Sequence, residues 1–133
     1  MEILPGDSYR YLVEQAPDAM LYADGIGTIR VWNQGAERLF GYTAAEALGR
    51  SLDLVIPEKF RAAHWHGFAA AMQSGSTRYL GRLLTTRSAH KDGRTIYVEM
   101  AFSMIRNDAG TITGALAIAR DCTERHLAAR TAR

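Results

Sequence analysis

The 133-residue chain has a single cysteine, Cys122. One cysteine excludes an internal disulfide and a multi-cysteine metal cage, and it is typical of a reducing compartment. No apolar run approaches the ~18 residues that a membrane span needs. No basic-then-apolar leader is visible at the N-terminus. We therefore expect a cytoplasmic domain with no membrane segment within this chain.

The chain also lacks a large excess of charge of one sign, and it lacks the common catalytic motifs. The formal net charge is +2 and the basic residues are scattered, which argues against a nucleic-acid partner because such proteins usually carry a basic stripe. The sequence has no G-x-S-x-G, Walker loop, H-E-x-x-H or carboxylate pair in an apolar setting. We expect one domain, and we do not expect an enzyme.

The first half of the chain predicts a hairpin followed by helices. After a lead-in over 1–7, Asp7 or Ser8 can cap a helix over about 8–16. The glycine-rich turn "DGIG" at 24–27 separates strand candidates at 19–24 and 28–33.

Three helices are then predicted. The first ends near Gly41, and Thr43 with Glu46 forms a capping-box pattern at the start of the second. The third and longest begins near Pro57 and ends at Gly75.

The second half changes to strand periodicity. We predict strands over 79–90, 95–104 and 111–119, joined by turns, and then a helix capped by Asp121. Because strands and helices are segregated along the chain, the fold class is α+β, with an antiparallel sheet of about five strands covered on one face.

Four stretches of this sequence resemble the PAS family of sensory domains. They are "APDAMLYADGIGTIRVWNQGAERLFGYTAAEALGRSL" at 16–52, "IPEKFRAAHWHGF" at 56–68, "HKDGRTIYVEM" at 90–100 and "RDCTER" at 120–125. The resemblance implies a PAS domain over 8–122, an exit helix over 123–133 and the strand order 2-1-5-4-3.

The same resemblance implies a function. PAS domains are usually non-catalytic modules of signal-transduction proteins such as two-component systems. They often bind a ligand in the core, dimerise, and pass a signal to an output domain, here a kinase or a cyclic-dinucleotide enzyme. The residues expected to relay that signal are Asp121, Thr123, Glu124 and Arg125.

His64 is the candidate metal ligand on the long helix. Helical spacing places it on the face of Phe68, whereas His66 lies roughly opposite. The run of Pro57, Glu58, Arg61 and His64 resembles the haem-binding helix of oxygen-sensing PAS domains from rhizobial kinases. The alternative is a helix histidine that packs on the sheet and bonds a backbone group.

The sequence differs from those haem proteins at three positions. Trp65 replaces an acidic residue, and Phe68 comes one position late. Leu83, nine residues before Asp92, stands where they have an arginine that helps hold oxygen or a haem propionate. Cys122 lies outside the position of the reactive cysteine in flavin-binding relatives. The cofactor therefore stays unknown, with haem as one possibility.

Apolar residues of the second half could form either a filled core or a ligand pocket. We predict burial of Phe40, Phe60, Phe68, Met100, Phe102 and Ile118. The cofactor-binding candidates are His64, Phe68, Leu83, Met100, Phe102, Leu116 and Ile118.

The outer sheet face predicts a homodimer. We expect Tyr97, Ala101, Ala115, Ala117 and Ala119 to form an apolar surface of mostly small residues that packs on the terminal helices of a partner copy. The alternative is that the N-terminal helix folds back on its own sheet and the chain is a monomer. Three functions remain open: a ligand-binding sensory module, a haem-based gas or redox sensor that uses His64, and a ligand-free dimerisation module.

Overall fold

The computed structural model describes residues 5–77 and 81–131. Five strands form one antiparallel sheet in the order β2-β1-β5-β4-β3, which confirms the predicted α+β fold and strand order. The elements are α1 (Gly6–Gln15), β1 (Ala19–Asp24), β2 (Ile29–Trp32), α2 (Gln34–Phe40), α3 (Ala44–Ala47), 3₁₀ turns Leu52–Val55 and Glu58–Phe60, α4 (Arg61–Ser74), β3 (Leu84–Ala89), β4 (Thr95–Arg106), β5 (Ile112–Asp121) and α5 (Thr123–Thr131).

Local signals in the sequence determine the ends of the short helices. Asn33 caps α2 by accepting from the N–H of Ala36, and Gly41 ends that helix with a φ of 85°, in the left-handed region that glycine adopts without steric cost. Thr43 and Glu46 form the predicted capping box at the start of α3. These caps place α2 and α3 against the sheet.

The predicted cap of α1 is wrong. The helix begins at Gly6 after Pro5 and has no side-chain cap. None of its ten residues is buried. Its C-terminal end is held at the domain because Nδ2 of Asn33 donates to the carbonyl oxygen of Val13 over 2.8 Å. Most of α1 is therefore free to pack on another surface.

The faces predicted for β5 are reversed in the structure. Ala117 and Ala119 are buried, whereas Ile118 is 37% exposed and Leu116 is half-buried. The register pairs Phe102 with Ala117, and paired residues in an antiparallel sheet share a face. The inner face thus combines alanines from β5 with large side chains from β4. The prediction failed because it assigned the larger apolar residues to the core.

Small residues on the inner face allow α2 to approach the sheet closely. Ala19 and Ala119 are paired on adjacent strands, and each is 2% exposed. A side chain at Gly35 would collide with the backbone of Asp18 and Ala19. Glycine on the helix and alanine on the strands therefore bring the two backbones together at the start of β1.

The predicted core is confirmed in part. Phe40 and Met100 are buried, with 0% and 8% exposure, whereas Phe68 and Phe102 are half-buried. Phe60 is 36% exposed. Phe60 lies at the rim of the domain, where Arg87 from β3 and Lys59 place their cationic groups 5.5 and 5.1 Å from its ring centroid.

The predicted strand over 79–90 is shorter in the structure, where β3 begins at Leu84. Residues 78–80 lie outside the described part of the chain. Within residues 5–77 and 81–131, no helix combines the length and apolar character needed to cross a membrane.

Candidate ligand site between the long helix and the sheet

The long helix α4 lies over the inner face of the sheet without burying any residue completely. It ends at Gly75, which has a φ of 76° and whose N–H donates to the carbonyl oxygen of Ala71. None of its fourteen residues is fully buried, whereas α2 buries three of seven. Its inward side chains are half-buried, among them His64, Trp65 and Phe68. The helix α4 is thus attached to the domain through half-buried side chains only.

His64 presents an unpaired polar atom inside this interface. Its ring lies edge-on to Trp65, with 4.7 Å between the ring centroids, and 6.0 Å from Phe68. Its Nδ1 atom is buried and has no hydrogen-bond partner among residues 5–77 and 81–131. Burial lowers the pKa of His64, and the nearby carboxylate of Asp53 opposes that shift. The ring is therefore neutral near pH 7, a form that can accept a hydrogen bond or bind a metal.

Trp65 fixes one end of the site. Its indole Nε1 donates to Oδ1 of Asp53 over 2.7 Å, and its ring lies against Gly27, where a side chain would collide with it. Arg61 supports the same corner because its Nε donates to the carbonyl oxygen of Ile56 over 3.0 Å. These contacts attach the first half of α4 to the 3₁₀ turn Leu52–Val55 and the residue after it, and to the β1–β2 hairpin.

The opposite wall is a cross-strand row on the inner face. Leu84, Met100 and Ala119 are paired across β3, β4 and β5, and Phe102 is paired with Ala117 in the next row. The row supplies apolar side chains of different sizes. The wall facing α4 can therefore contact an apolar ligand.

The structure keeps four of the seven predicted cofactor-binding residues on inward positions and places the other three elsewhere. His64 and Phe68 lie together on α4, Met100 belongs to the core cluster, and Phe68 and Phe102 pack against that cluster. Leu83 is 66% exposed and precedes β3. Leu84 is the residue that pairs with Met100 and shares its face of the sheet. Leu116 and Ile118 lie on the outer face. These three assignments are corrected.

Two residues of this site were missed by sequence reasoning. Trp65 was considered only as a departure from the haem proteins, although it lies three positions before Phe68 on the same face of a helix. Leu84 was missed because the family resemblance pointed to Leu83, nine residues before Asp92. The signal for Trp65 was its spacing, whereas the partners Asp53 and Gly27 could not be found without the fold.

A direct metal site is not formed in the described part of the chain. Residues 5–77 and 81–131 contain no group of three histidine, cysteine, aspartate or glutamate side chains that could hold an ion. His64 alone suits a metal only as one ligand within a cofactor such as haem.

The predicted relay residues lie where β5 leads into α5. Oδ1 of Asp121 accepts from the N–H of Thr123 over 2.7 Å. Arg125 forms an ion pair with Glu99 on β4 at 3.3 Å. Glu124 lies in the first turn of α5 and is exposed. Three of the four residues therefore connect the exit helix with the sheet or cap it.

Comparisons with known proteins agree with this architecture. The chain is 29% identical over 101 residues to sensor protein FixL of Bradyrhizobium diazoefficiens, which covers 74% of this chain and 19% of the relative. It is 28% identical over 95 residues to oxygen sensor protein DosP of Escherichia coli, covering 71% of this chain and 12% of the relative. The chain thus spans less than a fifth of the length of these curated relatives.

Solved structures share the fold. A PAS domain from Colwellia psychrerythraea superposes with a TM-score of 0.75 and 26% identity, covering 90% of this chain and 98% of that one. An RNA-binding light-oxygen-voltage receptor superposes with a TM-score of 0.70 and 29% identity, covering 92% of this chain and 34% of that one. The family profile described as PAS fold matches residues 7–122. The chain belongs to the PAS family, whose members are generally sensory modules.

Proposed function

We propose that this chain is the sensory PAS module of a longer cytoplasmic signalling protein and that it binds a small ligand between α4 and the sheet. The observation that carries the proposal is the long helix with no fully buried residue, facing an apolar wall across an interface that contains the unpaired Nδ1 of His64. A ligand in this interface would complete the burial of both surfaces and give Nδ1 a partner.

The proposal includes the consequence of binding. Ligand contacts with Met100 and Phe102 act on β4, and β4 contacts the exit helix through the ion pair of Glu99 with Arg125. A change in the sheet therefore reaches α5 and, through it, an output domain such as a kinase or a cyclic-dinucleotide enzyme. Self-association through the outer sheet face is the second part of this function.

A matched pair of substitutions on α4 tests the ligand site. Ala71 is half-buried, whereas its neighbour Ala70 is exposed and lies about 100° away around the helix. Native mass spectrometry of the purified chain, incubated with the small-molecule fraction of a cell extract, should show a bound compound in the wild type and in Ala70→Phe. Ala71→Phe should lose it because the new ring fills the site.

Two results would contradict the proposal. A wild-type protein that carries no compound after this incubation would show that the interface binds no ligand. A compound that persists in Ala71→Phe but is lost in Ala70→Phe would place the binding site elsewhere.

Haem is the second candidate, and His64 favours it. The donor chemistry fits, since the imidazole is kept neutral by burial and its buried nitrogen is unpaired. The similarity to FixL and to an oxygen sensor supports the same assignment. A bound haem would supply an iron for diatomic gases or for redox change, with His64 as its protein ligand. Phe68 and Met100 would contact the macrocycle.

Haem reconstitution tests this second candidate. We expect a Soret band in the wild type and in His66→Ala, because His66 is exposed on the far side of α4. His64→Ala should abolish the band. A wild-type protein that stays colourless after reconstitution would exclude haem and leave the small-ligand proposal in place.

A further inference from the structure

The exit helix folds back against β4 at a single aromatic residue, Tyr97. The ring of His126 on α5 stacks on the Tyr97 ring, with 4.2 Å between the centroids and 23° between the planes. Nη1 of Arg130, one turn later, donates to the Tyr97 hydroxyl over 3.2 Å. The Tyr97 side chain thus contacts two successive turns of α5.

The Tyr97 backbone holds the start of the same helix. Its N–H donates to Oγ1 of Thr123 over 2.9 Å, and its carbonyl oxygen accepts from the N–H of Cys122 over 2.9 Å. Thr123 was predicted as a relay residue, whereas Tyr97, His126 and Arg130 were not. Their role follows from the fold, because these residues are far apart in the sequence.

The helix α5 has no buried apolar face in the described part of the chain. None of its residues is buried, and its apolar residue Leu127 is 44% exposed. The ion pair of Arg125 with Glu99 joins an arginine side chain that is 68% exposed, and such exposed pairs contribute little. A nine-residue helix is too short to be stable alone. Its docked state therefore depends strongly on Tyr97.

Tyr97 is also fixed to the core. Its neighbours Ile96 and Val98 point to the inner face and are 1% and 0% exposed, because side chains alternate along a strand. The tyrosine therefore follows β4 closely. Any displacement of β4 changes the position of the ring on which His126 is stacked.

We propose that Tyr97 is a positioning residue, an aromatic clamp that holds α5 docked on β4 and releases it when β4 shifts. The clamp gives the exit helix two states, docked and released. Its signalling role rests on the proposed function, since it supplies the regulated contact between sensor and output. The clamp itself is a property of the chain without ligand.

Amide hydrogen exchange of the chain without ligand tests the clamp. In the wild type, the amides of residues 127–131 should be protected. Tyr97→Leu and His126→Ala should each raise their exchange about tenfold, because each removes the stack. Tyr97→Phe retains the stack and loses only the hydroxyl, so its increase should be clearly smaller.

A double variant shows whether Tyr97 and His126 act through one shared contact or through two independent ones. The double variant with Tyr97→Leu and His126→Ala should exchange no faster than either single variant, because both act on one contact. His66→Ala, on the exposed side of α4, is the control and should leave α5 unchanged. Exchange in β4 and β5 should stay as in the wild type, which shows that the sheet is intact.

Three results would overturn the clamp: unprotected α5 amides in the wild type, unchanged exchange in His126→Ala, or additive effects in the double variant. If Tyr97→Leu fails to fold, His126→Ala decides alone, since its side chain is not part of the core. Absence of a bound compound would contradict the ligand proposal and not the clamp, whereas unchanged α5 exchange would contradict the clamp and not the ligand site.

Discussion

The indole Nε1 of Trp65 donates a 2.7 Å hydrogen bond to the carboxylate of Asp53. This bond joins α4 to the 3₁₀ turn Leu52–Val55, which is otherwise connected to it mainly through Arg61. Because α4 buries no residue completely, its attachment depends on such individual contacts more than on a filled interface. Trp65 therefore sets the position of the neighbouring His64.

Removing this bond should lower stability modestly. We expect Trp65→Phe to reduce the free energy of unfolding by about 1–2 kcal/mol, since it loses a hydrogen bond to a charged group at a partly exposed site. The same substitution in an Asp53→Ala background should cost less, because the acceptor is already gone. Urea unfolding of the wild type, the two single variants and the double variant checks this. Equal costs in both backgrounds would show that the bond contributes nothing.

Burial separates two phenylalanines that the sequence could not distinguish. Phe40 is 0% exposed, and Phe40→Ala should cost about 3–5 kcal/mol. Phe102 is half-buried, so Phe102→Ala should cost about half as much or less. Denaturant unfolding of both variants measures the difference. A larger loss for Phe102 than for Phe40 would show that the interface between α4 and the sheet is tightly packed.

Much of the fold could be predicted from local chemistry. The helix end at Gly41, the capping box at Thr43, the helix end at Gly75, the hairpin turns and the strand alternation each depend on near neighbours in the sequence, and they were placed within a few residues. The strand order came from the family resemblance, because pairing between distant segments leaves no local signal.

The faces of β5 show where sequence reasoning failed. Its residues alternate between alanines and larger apolar side chains, so both faces are apolar, and hydrophobicity alone cannot say which one is inside. The register pairs Met100 with Ala119 and Phe102 with Ala117, which places the alanines on the inner face. The candidate site failed at Leu116 and Ile118 for this reason. It failed at Leu83 because that residue was taken from the family resemblance, whereas β3 begins one residue later, with Leu84 paired to Met100.

Stability should depend on pH through His64. Burial lowers the folded-state pKa of His64 below its ordinary value of 6.5. The unfolded chain therefore binds more protons between these two values, so stability is present above pH 6.5 and is lost as the pH falls through that window. The free energy of unfolding should change by less than the ~1.4 kcal/mol per pH unit that uptake of one full proton would give, since the ring is only half-buried.

Comparison with variants isolates this contribution from the other histidines. Urea unfolding between about pH 5 and pH 8 should show a weaker loss at acidic pH for His64→Gln than for the wild type. His66→Gln changes an exposed ring and should follow the wild type. Parallel pH profiles for the wild type and His64→Gln would mean that the His64 ring is solvated in solution.

The outer sheet face predicts self-association, although with different residues from those that the sequence indicated. Ala117 and Ala119 are buried inside, and the outer face instead carries the larger apolar side chains. Ile118 is 37% exposed there, while Tyr9 and Leu12 on α1 are 55% and 59% exposed in the same chain. The residues around Ile118 on this face are Met20, Tyr22, Ala101 and Leu116.

A charge at the centre of this face should separate the copies. The helix α1 of one copy can cover the outer face of another, and a two-fold arrangement would bury both surfaces twice. We expect sedimentation to show a dimer for the wild type and a monomer for Ile118→Glu and for deletion of residues 1–16. Ile26→Glu is the matched control, because Ile26 is 82% exposed in the β1–β2 turn, and it should remain dimeric. A wild-type monomer at about 0.5 mM, where even a weak dimer of Kd near 0.1 mM would form, contradicts the pairing. A dimeric Ile118→Glu would place the interface on another surface.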